Sequence, residues 1–246
     1  MSDSEQDIDC AVHGTTHGTY ICSHLMNDPL QQWFCGYPSK DNAWPDAWCG
    51  VCEREFQKEG EWNENNEHNL DIRLACHRCY EENKGRSVAH LMEKQAGRWE
   101  PLVSDAVTEL TAKQDQLQKR FDLSKHERWD YDQETGEIVF SNAGVPAVAA
   151  RFQIVGSISS VNDTWLWSWA NFSLVPEIFE GLLTVRTFGE SERFASLTIP
   201  KWPATEEVGW ELTAVAAKIL NADGAYRTPS KVGFLFTLLM DVRRVQ

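Results

Sequence analysis

Seven cysteines and seven histidines occur in this 246-residue chain, and eight of them fall into four short pairs. These are Cys10-x2-His13, Cys22-x-His24, Cys49-x2-Cys52 and Cys76-x2-Cys79. A C-x2-C turn brings two thiolates to one point with backbone amides aimed at the sulfurs. A second such turn completes a tetrahedron of soft ligands, which suits a d¹⁰ ion such as Zn²⁺. The strongest signal is the two C-x2-C pairs, with 23 residues between Cys52 and Cys76, slightly more than a typical zinc ribbon holds. Cys10, His13, Cys22 and His24 form a second Cys2His2 set. Eight ligands make two four-coordinate, structural zinc sites. The pairing is open between sequential (10/13/22/24 with 49/52/76/79) and crossed (first pair with third, second with fourth). Disulfides are the alternative, disfavoured in a chain without a visible secretion signal. Cys35 sits among aromatic neighbours and reads as a buried thiol rather than a ligand.

The elements that must carry these ligands are short. Residues 1–9 read as a disordered acidic tail, 10–96 as a zinc-binding domain and 97–246 as an α+β domain. Residues 53–58 suggest a helical turn and 72–75 a strand feeding Cys76, with a polar helix from Cys79 to about residue 95. Ligands that end a strand and open a helix belong to ribbon and treble-clef modules. A boundary is expected near Gly97. Beyond it, apolar spacing predicts a helix over 99–121. A hairpin follows, with its turn at 133–137, then strands over 147–159 and 165–171. A helix over 173–188, a strand over 194–199, a helix over 205–221 with Thr205 as N-cap, and final strands complete the chain. This order implies a mostly antiparallel sheet.

Several stretches resemble known families. Cys10-x2-His13-Gly14, Tyr20-Ile21-Cys22-x-His24-Leu25, Asp46-Ala47-Trp48-Cys49-x2-Cys52-Glu53 and Leu74-Ala75-Cys76-x2-Cys79-Tyr80 resemble a small cysteine/histidine module of uncharacterised bacterial proteins. That resemblance implies zinc binding and no reaction. The run Thr164-Trp165-Leu166-Trp167-Ser168-Trp169-Ala170-Asn171, followed by Arg186 and Phe188-Gly189-Glu190, resembles a bacterial domain of unknown function covering about residues 98–245. It brings no activity and no catalytic residues.

In a strand, Trp165, Trp167 and Trp169 would share one face. Core filling is the plainer reading, and a stacking platform for a ligand or partner the sharper one. Asn171 could bond a ligand or satisfy a turn. Arg186 could bind an anion or pair with Glu190 or Glu192.

Charge narrows the function classes. The net charge is −14, and residues 1–95 hold 17 acidic against 8 basic residues, a net −9. Phosphate backbones repel such a chain, so nucleic acid is a poor partner despite the zinc pairs. No apolar run is long enough to span a membrane, and the N-terminus has no signal-peptide pattern, so a cytoplasmic protein is expected. Enzyme signatures such as G-x-S-x-G, a P-loop or H-E-x-x-H are absent. The C-terminal part has no cysteine and one histidine, His126. The reading these features favour is a non-enzymatic, zinc-stabilised protein-binding module of immunity, antitoxin or adaptor type. The alternatives are a hydrolase or transferase with its site at 165–171, and a nucleic-acid-associated regulator acting through the zinc module.

Overall fold

The computed structural model describes residues 7–36, 41–159, 163–171, 173–230 and 233–245. It divides into two compact units, Met1–Gln95 and Ala96–Gln246. Both mix helices with sheets whose pairings are antiparallel apart from one parallel pair. No helix among the described residues is long and apolar enough to cross a membrane.

The first unit contains β1 (Asp7–Cys10), β2 (Gly14–Cys22), α1 (Ser23–Asn27), β3 (Trp33–Cys35), β4 (Ala47–Cys49), α2 (Gly50–Glu59), β5 (Ile72–Cys76) and the start of α3 (His77–Phe121). The strand β1 corrects the expected tail. Residues 7–9 pair with His17, Thr16 and Thr15 of β2, because the tight turn between Cys10 and Gly14, with Gly14 at φ +70°, folds them back onto the sheet. Residues 1–6 lie outside the described set. The nine-residue β2 is central. It runs antiparallel to β5, with Gly18 opposite Cys76 and Cys22 opposite Ile72, and parallel to β4 at Ile21 and Ala47.

One continuous α3 replaces the two helices expected on either side of Gly97. Pro101 lies within it and lacks the N–H that would reach the Gly97 carbonyl four residues back. The loss is offset by burial of Trp99, Ala106, Leu110 and Leu117 along one side and by tertiary bonds of the second half. Among these, Gln114 Nε2 donates to the Ala225 carbonyl at 2.6 Å and Lys218 Nζ to Glu109 at 2.7 Å.

After α3 come β6 (Arg128–Asp132), β7 (Glu137–Asn142), β8 (Val145–Ser159), β9 (Thr164–Trp167), α4 (Leu182–Glu192), α5 (Ala195–Thr198), β10 (Lys201–Pro203), α6 (Glu206–Leu220), β11 (Gly224–Ser230) and β12 (Gly233–Arg244). The hairpin, the long β8 and the Thr205 cap match expectation. Thr205 Oγ1 accepts from the Val208 N–H. Two expected strands change. Residues 195–198 form a short helix in place of a strand, with the Ile199 N–H bonded to the Ala195 carbonyl. The strand expected over 165–171 stops at Trp167, and Ser168–Ala170 is a 3₁₀ turn. The Trp167 N–H bond to the Pro200 carbonyl is the last rung of the β9–β10 ladder, and the strand stops there because the chain then turns, with the Asn171 N–H closing on the Ser168 carbonyl. The helix expected from 173 starts later, at Leu182, after a 3₁₀ turn at Pro176–Ile178.

The fifteen-residue β8 organises this sheet. One edge pairs with β12, and the other pairs first with β7 and then with β9. Opposite β12, Gly156 faces Phe236 while Ile154 faces Thr237, so Val155 is an extra residue on β8. This bulge flips the facing of the strand. Ile158 and Gly156 sit with Trp165, Trp167 and Phe236 on the side covered by α6, whereas Ile154 and Phe152 turn to the opposite, concave side. Gly156 is required there: a Cβ would lie 2.5 Å from the Trp165 ring and 2.6 Å from the Leu166 carbonyl oxygen.

Candidate metal centres

The eight cysteine and histidine ligands predicted from spacing gather into two groups. Cys10, His13, Cys76 and Cys79 form one, and Cys22, His24, Cys49 and Cys52 the other. In each, one ligand atom per residue lies within 4.8 Å of all the others. The pairing is neither sequential nor crossed. It is nested, first pair with fourth and second with third, which also dissolves the expected four-cysteine set of Cys49, Cys52, Cys76 and Cys79.

Strand direction decides the nesting. Because β5 runs antiparallel to β2, its C-terminal end, carrying Cys76, lies opposite Gly18 and toward the β1–β2 turn with Cys10 and His13, while its N-terminal end lies opposite Cys22. Because β4 runs parallel to β2, the two C-terminal ends bring Cys22 and Cys49 together. The second ligand of three pairs follows in the first turn of a helix: His24 in α1, Cys52 in α2 and Cys79 in α3. A strand end fixes one ligand and the helix start fixes the next.

In the outer group, His13 Nδ1 is 3.3 Å from Cys76 Sγ, 3.5 Å from Cys79 Sγ and 3.8 Å from Cys10 Sγ. Cys10 and Cys79 sulfurs are 3.9 Å apart. His13 Nε2 lies 3.2 Å from Glu82 Oε1. That contact leaves Nδ1 free to act as the ligand atom and fixes the ring's orientation. In the inner group, His24 Nδ1 is 3.4 Å from Cys52 Sγ, and Cys49 and Cys52 sulfurs are 3.8 Å apart. The sulfurs of the inner group are buried, and His24 is exposed.

The electrostatics are those of crowded thiols. The backbone N–H groups of Val12 and then His13 hold the Cys10 thiol down, to about 6. Burial pushes Cys79 up to about 12. In the inner group, hydrogen bonds from Cys22 and Cys52 hold Cys49 far below the ordinary thiol range, while Cys22 and Cys49 drive Cys52 far above it. Packed sulfurs cannot all ionise without a cation among them. No disulfide occurs among the described residues. Cys35, buried in β3, belongs to neither group.

The residues singled out around the tryptophan run are placed differently. Trp165 and Trp167 are fully buried, packed edge to face at 5.2 Å, and Trp167 Nε1 donates to the Ser196 carbonyl at 3.0 Å. Trp169 has left the strand, and Arg186 lies over its ring at 4.8 Å while pairing with Glu190 at 2.9 Å. Asn171 Oδ1 accepts from the Ser173 N–H and hydroxyl in a local turn. These five residues do not converge on one open face.

A family model described as a family of unknown function, DUF6882, matches residues 100–242. The chain belongs to this family. No curated protein and no solved structure matches it. The DUF6882 match covers the second unit and the last part of α3, and both metal-ligand groups lie outside it.

Sequence reasoning missed a cavity of about 490 Å³ within the DUF6882 region, on the concave side of the sheet. Its only signal was the alternation of apolar residues in β7, β8 and β12, which single strands show without revealing that they converge.

Proposed function

We propose that the N-terminal unit is a zinc-stabilised binding module of ribbon or treble-clef type, and that the protein is a cytoplasmic, bacterial adaptor or immunity-type protein without catalytic activity. What carries this reading is the closed character of both ligand groups. A tetrahedral zinc with Zn–S near 2.3 Å and Zn–N near 2.0 Å has edges of about 3.8 Å between sulfurs and about 3.5 Å between sulfur and nitrogen. The two sulfur pairs, at 3.8 and 3.9 Å, and the sulfur–nitrogen pairs, at 3.3 to 3.8 Å, fit those edges. Four protein ligands leave no position for a reacting water, so each zinc would be structural. Reduced, clustered thiols suit a reducing compartment.

The partner this surface suits is a basic protein. Tyr20, Ile72 and Leu74 are 44, 49 and 41 % exposed. Tyr20 of β2 lies directly opposite Leu74 of β5, and Ile72 and Leu74 share one face by their spacing. Asp46 and Glu67 border the same region together with Tyr20 and Ile72, in a unit whose net charge is −9. An apolar centre with an acidic border favours a partner of opposite charge. Affinity capture from the native cells should retain a basic protein on the full chain. Capture should be lost with the Ile72→Lys/Leu74→Lys variant at unchanged zinc content, and should weaken as salt rises. Equal capture by both chains, or capture of acidic proteins only, would refute the reading.

A further inference from the structure

In the second unit, five strands turn one set of alternating residues toward a common concavity. Ile138 and Phe140 of β7 and Phe152 and Ile154 of β8 form its apolar floor. Trp129 and Tyr131 of β6 and Tyr226 of β11 stand at its rim and are 43, 50 and 39 % exposed. The rings meet at varied angles: Tyr131 and Phe152 lie edge to face at 5.8 Å, and Phe140 is tilted against Tyr226 at 6.4 Å. Such a set offers both faces and edges to a flat guest. The volume, about 490 Å³, lies within the range of small-molecule sites.

Polar side chains interrupt the apolar wall at Gln118, Ser124, His126, Arg227, Thr228 and Thr237, and two of them bear on recognition. Thr237 stands between Leu235 and Leu239 on β12, all three at the cavity, and its hydroxyl has no hydrogen-bond partner among the described residues. His126 is the second. Both its ring nitrogens are buried and without a partner, and its ring is tilted against Phe140 at 6.0 Å. Buried polar atoms without partners, such as these two ring nitrogens, are uncommon and costly, whereas Thr237 is half-buried. The charge at the site is also distinctive. No Asp or Glu occurs among the described lining residues, although the whole chain is strongly acidic. The one strong cation there, Arg227, is already paired with Glu206 and lies over Phe234 at 4.3 Å.

We propose that this concavity binds a neutral, flat aromatic molecule of about two fused rings that carries one hydroxyl or carbonyl group. The aromatic walls hold the rings. Thr237, and His126 after a turn of its ring, satisfy the polar group. Neutrality follows from the absence of an unpaired charge. This inference is independent of the reading given to the N-terminal unit.

The test uses the full chain and two probes, 2-naphthol and naphthalene, in equilibrium dialysis. One 2-naphthol should bind per chain. Thr237→Val, which keeps the shape and removes the hydroxyl, and His126→Phe should each weaken 2-naphthol by roughly two- to tenfold, the range for one hydrogen bond. Naphthalene affinity should stay unchanged in both. Thr237→Trp should fill the cavity and abolish binding of both probes. If that variant fails to fold, the rim variant Tyr131→Ala should weaken both probes at unchanged fold. Binding of neither probe, or binding indifferent to Thr237→Trp and Tyr131→Ala, would overturn the site. Equal weakening of both probes by Thr237→Val and His126→Phe would overturn the polar recognition. Displacement of 2-naphthol by micromolar 1-decanol would overturn the aromatic class.

Discussion

Two double substitutions separate nested from sequential ligand pairing. Cys22→Ser/Cys49→Ser removes two ligands from the inner group and none from the outer. Cys49→Ser/Cys76→Ser removes one from each. A structural zinc held by four ligands is worth about 10–16 kcal/mol in apparent binding, hence roughly 2.5–4 kcal/mol for each ligand if shared evenly. One lost ligand should therefore weaken a site by about two to three decades. The assay is zinc content of the full chain after dialysis against a chelator buffered midway between the affinities of intact and three-ligand sites. Under nested pairing, Cys22→Ser/Cys49→Ser keeps one zinc and Cys49→Ser/Cys76→Ser keeps none. The reverse outcome, one zinc in the second variant and none in the first, would refute the assignment of ligands to groups.

A chelator strong enough to strip any metal from both groups should unfold residues 7–95, read by hydrogen exchange, while the sheet between β6 and β12 keeps its protection; one shared transition would show a common core. Trp165→Ala and Trp167→Ala should each cost about 3–5 kcal/mol in urea denaturation, because both side chains are fully buried. Trp169→Ala should cost less, since its ring sits outside the strand under Arg186. Gly156→Ala should cost about 1–3 kcal/mol or more from overpacking, because backbone as well as ring atoms lie within 2.6 Å of the added methyl. The hydrogen bonds from Lys218 and then Lys113 hold the Glu109 carboxyl below its usual value of 4.5. A lowered folded-state pKa gives stability that is present above the unfolded value and lost as pH falls through the folded one. Lys218→Met should therefore denature at lower urea than the natural chain at pH 7, with the gap closing as the pH falls below the ordinary carboxyl value of 4.5, and a gap constant with pH would argue against the ion pair.

The ligands were legible because their chemistry is local. A C-x2-C turn is recognisable wherever it occurs. Their partners were not, because whether Cys49 meets Cys22 or Cys76 depends on the direction in which β4 and β5 join β2, and no short stretch carries that. The helix across Gly97 and Pro101 was hidden for a related reason. Local propensity opposes it by about 1 kcal/mol at glycine and 3 kcal/mol at proline, and the burial of Trp99 and Leu110 that outweighs this is tertiary. The tryptophan run was half legible. Alternation correctly put Trp165 and Trp167 on one face, but the 3₁₀ turn at Ser168–Ala170, closed by the Asn171 N–H on the Ser168 carbonyl, ends the strand before Trp169. The cavity was least visible. Residues 154 and 156 have equal parity, and only the bulge at Val155 sends them to opposite sides.

The nested pairing also sets an order in time. The inner group is complete once residue 52 has emerged from the ribosome, and the outer one only at residue 79. At about 5–20 residues per second, that leaves roughly one to five seconds between them. During that interval a zinc at Cys22, His24, Cys49 and Cys52 would hold β2 beside β4 while β5 does not yet exist. The free edge of β2 would then be a waiting template, and the second zinc would close only on a strand already aligned by the first.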